Sequence, residues 1–385
     1  IYKMWFSFKG DVNKGDGYRI GYAESSDGIN WRREGMVSID FDSDADLDVF
    51  VTNIGFHPLL HEPLTVSSGD CGYSHRFDWS TCFHYLLRND GPKELDGIGT
   101  IGLFTDIAGS TPIRPNSIMP SAGLNKRNIL TYWEIPTGLS AYEFGFGAVF
   151  FDLENDGDQD LYWLGSMGGR GEGPFGQMYE SAGRMLRGDG SGSFEDVTVE
   201  SQLLDIARVD YSLLDSANPE FNAEEQRLLP KFHENGKGVA TGDLNGDGYP
   251  DLIATNAMGP TYVGPNLVDI FGGPLFVWLN GGGENHWLKL HLKGRMSIDG
   301  TGSNADGIRA RVLVRAKVDG TNVKTQIQDV LASSSFLSMS SLELNYGLGL
   351  ADRVEEVEIR WPSGVVQVLQ DVEINQLLEV IEPAN

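Results

Sequence analysis

Three acidic segments of the chain align with one another, and this repeat constrains the fold more than any other feature. They span residues 40–49, 152–161 and 243–252. Each segment places an oxygen-bearing side chain at every second position and then continues into a short apolar stretch. A recurring acidic loop followed by a strand indicates a protein built from repeated β units.

A second signal follows each acidic segment at a comparable distance. It is an apolar stretch that ends in a turn rich in Asn, Asp and Gly, which is typical of β-hairpins. The aligned turn positions Asn89, Gly188 and Asn280 lie 49, 36 and 37 residues after the first aspartate of their loops. Because the first distance is longer, we expect an insertion in that copy, within residues 57–84. We expect a second insertion at residues 201–238, where the β pattern is weakest.

The spacing of the repeats predicts an all-β fold that begins with a β-propeller. The acidic loops start 112 and 91 residues apart, which corresponds to about two blades each at roughly 45 residues per blade. We therefore predict a propeller of about seven blades over residues 1–284. The 49 glycines of the chain suit such a turn-rich fold.

A second domain is predicted from residue 285 onward, because the composition changes there to short strands of alternating polarity. We expect a small β-sandwich-like domain over residues 285–385. Its predicted strands span residues 286–292, 310–316, 326–331, 342–346, 354–361, 365–369 and 377–381.

The charge of the chain excludes two classes of partner. Against 29 Lys and Arg stand 55 Asp and Glu, which gives a formal charge of −26. Nucleic acids and anionic membrane surfaces would repel such a protein. Apolar runs such as residues 146–151 are far shorter than the roughly 20 residues that a membrane-spanning helix needs, so we expect no membrane insertion. The sequence carries no indication of an oligomeric state.

The acidic loops predict a metal site. Carboxylates that alternate along a tight loop repel one another unless a cation lies between them. Ca²⁺ takes six to eight oxygens from loop positions 1, 3 and 5, from a backbone carbonyl at position 7 and from a later carboxylate. We predict two to three bound Ca²⁺ ions. Their predicted ligands are Asp40, Asp42, Asp44, Asp46 and Asp48 in the first loop, Asp152, Glu154, Asp156, Asp158 and Asp160 in the second, and Asp243, Asn245, Asp247, Tyr249 and Asp251 in the third.

Details of the loops distinguish them from other metal sites. Gly157 and Gly248 at position 6 permit a sharp turn, whereas the first loop has Ala45 there. No glutamate occupies position 12 and β-type sequence follows, so the loops are not EF-hands. Mg²⁺ fits less well, because it prefers octahedral sites that retain several waters. Acidic surface turns without a metal are the alternative interpretation.

Seven short motifs mark the C-terminal part, at residues 285–288, 302–308, 309–312, 333–338, 346–350, 357–364 and 375–376. With the acidic loops, they resemble FG-GAP/VCBS repeat propellers joined to an ASPIC/UnbV domain. That arrangement occurs in cartilage-acidic-protein-like proteins and in many exported bacterial proteins. The resemblance covers about residues 40–381 and implies Ca²⁺ binding by the acidic loops within blades. It implies no reaction, because the family has no shared catalytic motif.

The first 33 residues depart from that family. They resemble a blade of the five-bladed glycosidases, and Ser25 to Trp31 has the spacing of a loosely written Asp-box. Such a motif is usually a structural hairpin turn whose tryptophan packs inward. We therefore do not expect Asp27 to act as a catalyst.

The first insertion concentrates cysteine and histidine. A transition-metal site would be indicated by Cys-x-x-Cys or His-x-His spacing, and this stretch has neither. A disulfide between Cys71 and Cys82 is the favoured interpretation, since ten intervening residues suit a closed loop in an exported protein. A second metal site or a pocket is the alternative, with the candidate residues His57, His61, His75 and His84.

Two functions remain open from the sequence. The favoured one is a calcium-binding propeller that binds a protein or a carbohydrate, with calcium stabilising the blades. The alternative is a hydrolase or lyase acting on polysaccharides or oligosaccharides, with its site on the propeller axis. Calcium affinities of about 10⁻⁴–10⁻³ M are typical of extracellular modules. We therefore expect a secreted, periplasmic or cell-surface protein. The chain starts in mid-strand, at residues 1–6, as though a precursor had been trimmed or the start of the sequence were missing.

Overall fold

The computed structural model describes residues 2–9, 18–25, 40–42, 44, 47–52, 84–95, 99–111, 113–114, 139, 145–170, 177–181, 183–204, 235–257, 259–262, 268–271, 273–332, 334–336 and 338–384. The chain divides into two compact units. The first comprises residues 1–39, 47–111 and 118–145, and the second comprises residues 40–46, 112–117 and 146–385. The predicted domain boundary at residues 284–285 lies within the second unit and stays a prediction.

The early strands are β1 (Tyr2–Lys9), β2 (Tyr18–Ser25), β3 (Val49–Val51), β4 (Tyr85–Leu95), β5 (Gly99–Asp106), β6 (Ile113–Arg114), β7 (Gly145–Phe151), β8 (Asp160–Arg170), β9 (Gln177–Ser181), β10 (Arg184–Gly188) and β11 (Phe194–Asp196). The next are β12 (Gly236–Gly242), β13 (Asp251–Asn256), β14 (Gly259–Tyr262), β15 (Val268–Phe271) and β16 (Leu275–Trp278). The C-terminal strands are β17 (His286–Lys293), β18 (Arg311–Ala316), β19 (Lys324–Asp329), β20 (Leu344–Gly349), β21 (Val354–Arg360), β22 (Val366–Val372) and β23 (Gln376–Ile381).

Strands make up nearly all the regular structure of the described residues, which confirms the all-β prediction. A short 3₁₀ turn at Arg295–Ser297 is an exception. The described strands form separate sheets, so the predicted ring of about seven blades is not confirmed. No helix in the described part of the chain is long and apolar enough to cross a bilayer.

Three repeat units share one strand register. In each unit, the strand after the acidic loop pairs antiparallel with the strand that leads to the aligned turn. The pairs that follow the last aspartate of each loop are Val49 with Leu87, Leu161 with Leu186, and Leu252 with Trp278. The partners Leu87, Leu186 and Trp278 each lie two residues before the aligned turn position, so the sequence alignment corresponds to a real structural repeat.

The second and third units also share the strand that precedes the acidic loop. β7 and β12 each enter their loops directly, and β8 and β13 leave them. Along β7 every second residue is buried, as the side-chain period of a strand with one face toward a core requires. Buried residues of both units, such as Val149, Tyr162 and Val239, belong to one hydrophobic core.

All seven strands predicted for the C-terminal part are present, as β17 to β23. They form a sheet with the order β20-β17-β23 and a second with the order β19-β18-β21-β22. Side chains from both sheets, among them Leu290, Val314 and Val357, share a single core. β17 pairs antiparallel with β20 and parallel with β23, which places β17 at the centre of its sheet.

A buried carboxylate fastens the C-terminal end of this domain. The side chain of Glu382 accepts hydrogen bonds from the backbone N–H groups of Arg295 (3.0 Å) and Ser303 (2.7 Å). It also accepts from the hydroxyls of Ser303 (2.8 Å) and Ser363. Burial alone raises the pKa of this carboxyl group, but the four donors outweigh it and hold the pKa below its usual value.

Glu382→Gln should lower the free energy of unfolding by about 2 kcal/mol at pH 7, because an amide directs its own donor at groups that also donate. The pKa of Glu382 is lower in the folded state, so its stabilisation is present above the unfolded pKa of 4.5 and is lost as pH falls through the folded pKa. Urea denaturation of both proteins at pH 7 and pH 3 checks this. A difference that stays constant between these two pH values would contradict the assignment.

Candidate metal loops and their cover

The last aspartate of each acidic loop accepts a hydrogen bond from the following hairpin. Asp48, Asp160 and Asp251 are all buried. Each accepts a hydrogen bond of 2.7 Å from a backbone N–H, and the donors are the aligned turn residues Asn89, Gly188 and Asn280. The turn positions aligned by sequence are therefore the ones that contact the loops.

In the second and third loops this aspartate also closes the loop on itself. The other carboxylate oxygen of Asp160 accepts the N–H of Leu153, and that of Asp251 accepts the N–H of Leu244, both at 2.7 Å. These aspartates thus have a structural role whether or not a metal is bound. Metal binding by them stays a prediction.

The first aspartate of each loop organises the turn. Its carboxylate accepts the N–H of the residue four positions later, at 3.0 Å in the first and second loops and 3.1 Å in the third. Gly157 and Gly248 follow with φ of 89° and 92°, a region that disfavours residues with a Cβ. The prediction that glycine at position 6 permits the sharp turn is confirmed for these two loops.

Negative charge accumulates in the second loop. Asp152 and Asp160 are buried, and burial together with neighbouring carboxylates raises the pKa of each well above its usual value. Burial also raises the pKa of Glu154, and the charge of Asp156 adds to that effect. The pKa of Asp156 is raised mainly by burial as well. The loop thus holds four carboxyl groups whose charged forms are destabilised.

One oxygen of Glu154 lacks a donor. Its Oε2 atom is buried and accepts no hydrogen bond from the described residues, whereas Oε1 lies 3.7 Å from Nε of Arg187. A cation in the loop would satisfy it without protonation.

The third loop is more exposed and differs in its partners. Asn245 donates to Oδ2 of Asp247 at 2.8 Å, and Asp247 accepts the N–H of Tyr249 at 2.9 Å. The predicted role of Tyr249 involves its backbone carbonyl. Its side chain is buried, and its hydroxyl donates to the carbonyl oxygen of Asn285 at 2.9 Å.

The first loop is described in part. Asp40 is buried, Asp42 is half-buried and Asp44 is exposed, while Asp46 lies outside the described residues. The division between the two compact units falls within the first loop, between residues 46 and 47. The ligand assignments in this loop stay predictions.

The C-terminal sheet covers the second loop. Asn155 at position 4 of this loop is buried, and its backbone carbonyl accepts the N–H of Gly349 at 2.8 Å. Its side chain accepts from the amide of Asn345 at 3.1 Å and donates to the carbonyl of Gly248 in the third loop at 3.0 Å. A Cβ on Gly347 would lie 1.9 Å from Oδ2 of Asp152. The close contact thus depends on glycine at position 347.

The same sheet covers the third loop. A Cβ on Gly248 would lie 1.9 Å from Cε2 of Trp287, so the indole ring packs directly on the turn. Lys289 of β17 forms an ion pair with Asp243. Lys324 of β19 forms one with a residue of the second loop, Asp158. Sequence reasoning did not identify these lysines as part of the site.

A serine-rich segment of the C-terminal domain binds strands of both repeat units. The hydroxyl of Ser335 accepts the N–H of Ala148 in β7 at 2.9 Å. The hydroxyl of Ser338 donates to the carbonyl of Val239 in β12 at 2.7 Å. The aromatic rings of Phe146 and Phe336 pack with centroids 4.9 Å apart. The segment, which lies between β19 and β20, therefore links the C-terminal sheets to two neighbouring strands.

The cysteine and histidine candidates lie almost entirely outside the described residues. These are Cys71, Cys82, His57, His61 and His75. His84 is described and buried. Its ring contacts Phe50 with centroids 5.4 Å apart, and burial lowers the pKa of the imidazole to about 3. His84 is therefore neutral at physiological pH, and its role in metal binding stays a prediction.

Comparisons with known proteins agree with this architecture. The family model for ASPIC and UnbV matches residues 300–385, and the model for the FG-GAP repeat matches residues 235–268. Cartilage acidic protein 1 of Mus musculus is 29% identical over 150 residues, which cover 38% of this chain and 20% of that protein. The Homo sapiens protein of the same name is also 29% identical over 150 residues, with 38% and 19% covered.

The matched part spans about a fifth of the length of these curated relatives. The FG-GAP match contains β12, the third acidic loop and β13, while the ASPIC and UnbV match contains β18 to β23. The chain thus contains a segment that matches the FG-GAP repeat, followed by a C-terminal segment that matches ASPIC and UnbV.

Proposed function

We propose that this chain is a calcium-binding module of the β-propeller type, which binds a protein or a carbohydrate outside the cytoplasm. The main support for this proposal is the second acidic loop. Asp152, Glu154, Asp156 and Asp160 of this loop have raised pKa values, and Oε2 of Glu154 is buried without a donor. Ca²⁺ is a hard cation that takes several carboxylate and carbonyl oxygens in flexible geometry, so it matches this set of ligands.

The shared register of the repeat units supports the propeller. Three units place the same aspartate on the same backbone N–H of their hairpins, as repeated blades of one fold would. A ring of about seven such blades is part of the proposal. Calcium would stabilise individual blades by neutralising their loops, which leaves the remaining surface to bind a partner.

Calcium should raise the stability of the protein measurably. A site with a Kd of about 10⁻⁴ M stabilises the folded state by about 2.7 kcal/mol when calcium is present at roughly 10 mM. Thermal denaturation with calcium, with magnesium and with EDTA measures this effect, and elemental analysis after dialysis gives the number of ions bound. We expect calcium to raise the melting temperature more than magnesium does.

Asp156→Asn should reduce the calcium-dependent part of this stabilisation, because it removes one charged ligand from the second loop. Asp371→Asn is the matched control, since its side chain is 74% exposed and lies outside the loops. If EDTA leaves the melting temperature unchanged and no calcium copurifies or binds, the proposal is wrong.

A further inference from the structure

Lys289 fills the last acceptor position of Asp243. Oδ1 of this carboxylate accepts the N–H groups of Gly246 at 2.7 Å and Asp247 at 3.1 Å. Oδ2 accepts the N–H of Gly248 at 2.8 Å and the Lys289 ammonium group. A carboxylate has about four acceptor sites, so Asp243 has none left for a metal ion.

The ion pair is shielded from water. The side chains of Lys289 and Asp243 are 8% and 2% exposed. Burial raises the pKa of Asp243, but the Lys289 ammonium and the backbone donors outweigh it and lower the pKa. Screening by salt is weak for such a pair, so the ammonium group is a strong local positive charge.

The second loop differs at the equivalent position. Asp152 accepts the N–H groups of Asp156 at 3.0 Å and Gly157 at 2.7 Å, which leaves acceptor capacity for a metal ion. The nearby ammonium group of Lys324 pairs with Asp158, at position 7, where calcium loops use the backbone carbonyl. In the third loop, a lysine thus pairs with the first predicted ligand. In the second loop, a lysine pairs instead with a side chain that calcium does not need.

The third loop cannot easily move away from Lys289. The Trp287 indole packs on Gly248, and the Tyr249 hydroxyl bonds to the carbonyl of Asn285. Movement of the long lysine side chain is the simpler way to free an oxygen of Asp243, because four rotatable bonds separate its ammonium group from the backbone.

From these contacts we infer that Lys289 is an internal cation that occupies the third loop in the absence of calcium, and that calcium must displace it from Asp243 to bind there. The inference rests on the proposed calcium function. It makes the third loop a weaker site than the second. It also couples calcium loading of the third loop to the contact between that loop and β17.

Substitution of Lys289 tests the inference by calcium titration calorimetry of the full chain. Lys289→Met should tighten the weaker class of sites about tenfold or more, because close buried charges couple strongly. Lys289→Arg keeps the positive charge beside Asp243 and should therefore not tighten the weaker sites. Lys324→Met is the matched control and should leave the weaker sites unchanged. Adding Asp247→Asn to Lys289→Met should abolish the gain in calcium affinity. That result would show that the gain arises in the third loop.

A labelling measurement on the wild-type protein covers the case in which Lys289→Met fails to fold. Calcium should increase the acylation rate of Lys289 several-fold, read by peptide mass spectrometry, while that of Lys324 stays constant. Calcium binding without a change at Lys289, in affinity or in labelling, would overturn the inference. Absence of calcium binding by the wild type would instead overturn the proposed function itself.

Discussion

Gly347→Ala should destabilise the protein by about 4 kcal/mol, near the upper end of single-substitution effects. The added Cβ would lie 1.9 Å from Oδ2 of Asp152 and 2.5 Å from backbone atoms of Asn155. The side chain of Asp152 could rotate away, but the backbone of the second loop would also have to shift. That shift would stretch the hydrogen bonds from Asn345 and Gly349 to Asn155.

Gly281→Ala is the matched control for this substitution. A Cβ at Gly281 meets no atom within 4 Å and its φ is not positive, so alanine should be neutral or slightly stabilising there. Denaturant unfolding of the two variants in EDTA measures the difference without a contribution from calcium. Equal free energies of unfolding for the two variants would show that the C-terminal sheet does not contact the second loop at Gly347.

Asp251→Asn should lower the free energy of unfolding by about 3 kcal/mol in EDTA, because two charge-assisted hydrogen bonds are affected together. The carboxylate accepts the N–H of Leu244 with one oxygen and that of Asn280 with the other, both at 2.7 Å. An amide keeps one acceptor and directs N–H at the second donor. The Asp251 side chain itself is buried, so water has little access to replace the lost acceptor.

The control for Asp251→Asn is Asp352→Asn, whose side chain is 86% exposed. It should change stability by less than about 0.5 kcal/mol, as expected for surface substitutions. Urea denaturation in EDTA provides both values. If the loss at Asp251 appeared only with calcium present, the residue would serve the metal alone and the hydrogen-bonding role would be wrong.

The repeat architecture could be predicted from the sequence because it depends on the spacing between nearby residues. The distance from loop to hairpin determines which backbone N–H reaches the last aspartate, so Asn89, Gly188 and Asn280 could be aligned before any geometry was known. The strands of the C-terminal domain were recognisable for a similar reason. Alternating polarity in short segments reports which face of a strand is buried.

The cover of the loops could not be derived in this way. Lys324 and Asp158 are 166 residues apart, and Asn345 and Asn155 are 190 apart, so no local pattern links them. A signal was nevertheless present at Trp287 and Gly347. Both belong to motifs of the ASPIC/UnbV resemblance, and both contact the acidic loops. Motifs that carry the resemblance thus include residues that contact the neighbouring repeat units.

The long separation of these contacts has a consequence for biosynthesis. At about 5–20 residues per second, Asn345 leaves the ribosome roughly 10 to 40 s after Asn155. Throughout that interval the second loop exists without the sheet that covers it. A chain that stops before residue 285 would lack Trp287, Lys289 and Gly347 altogether. Premature termination should therefore yield an incompletely folded product for quality-control proteases, rather than a shorter protein with working repeats.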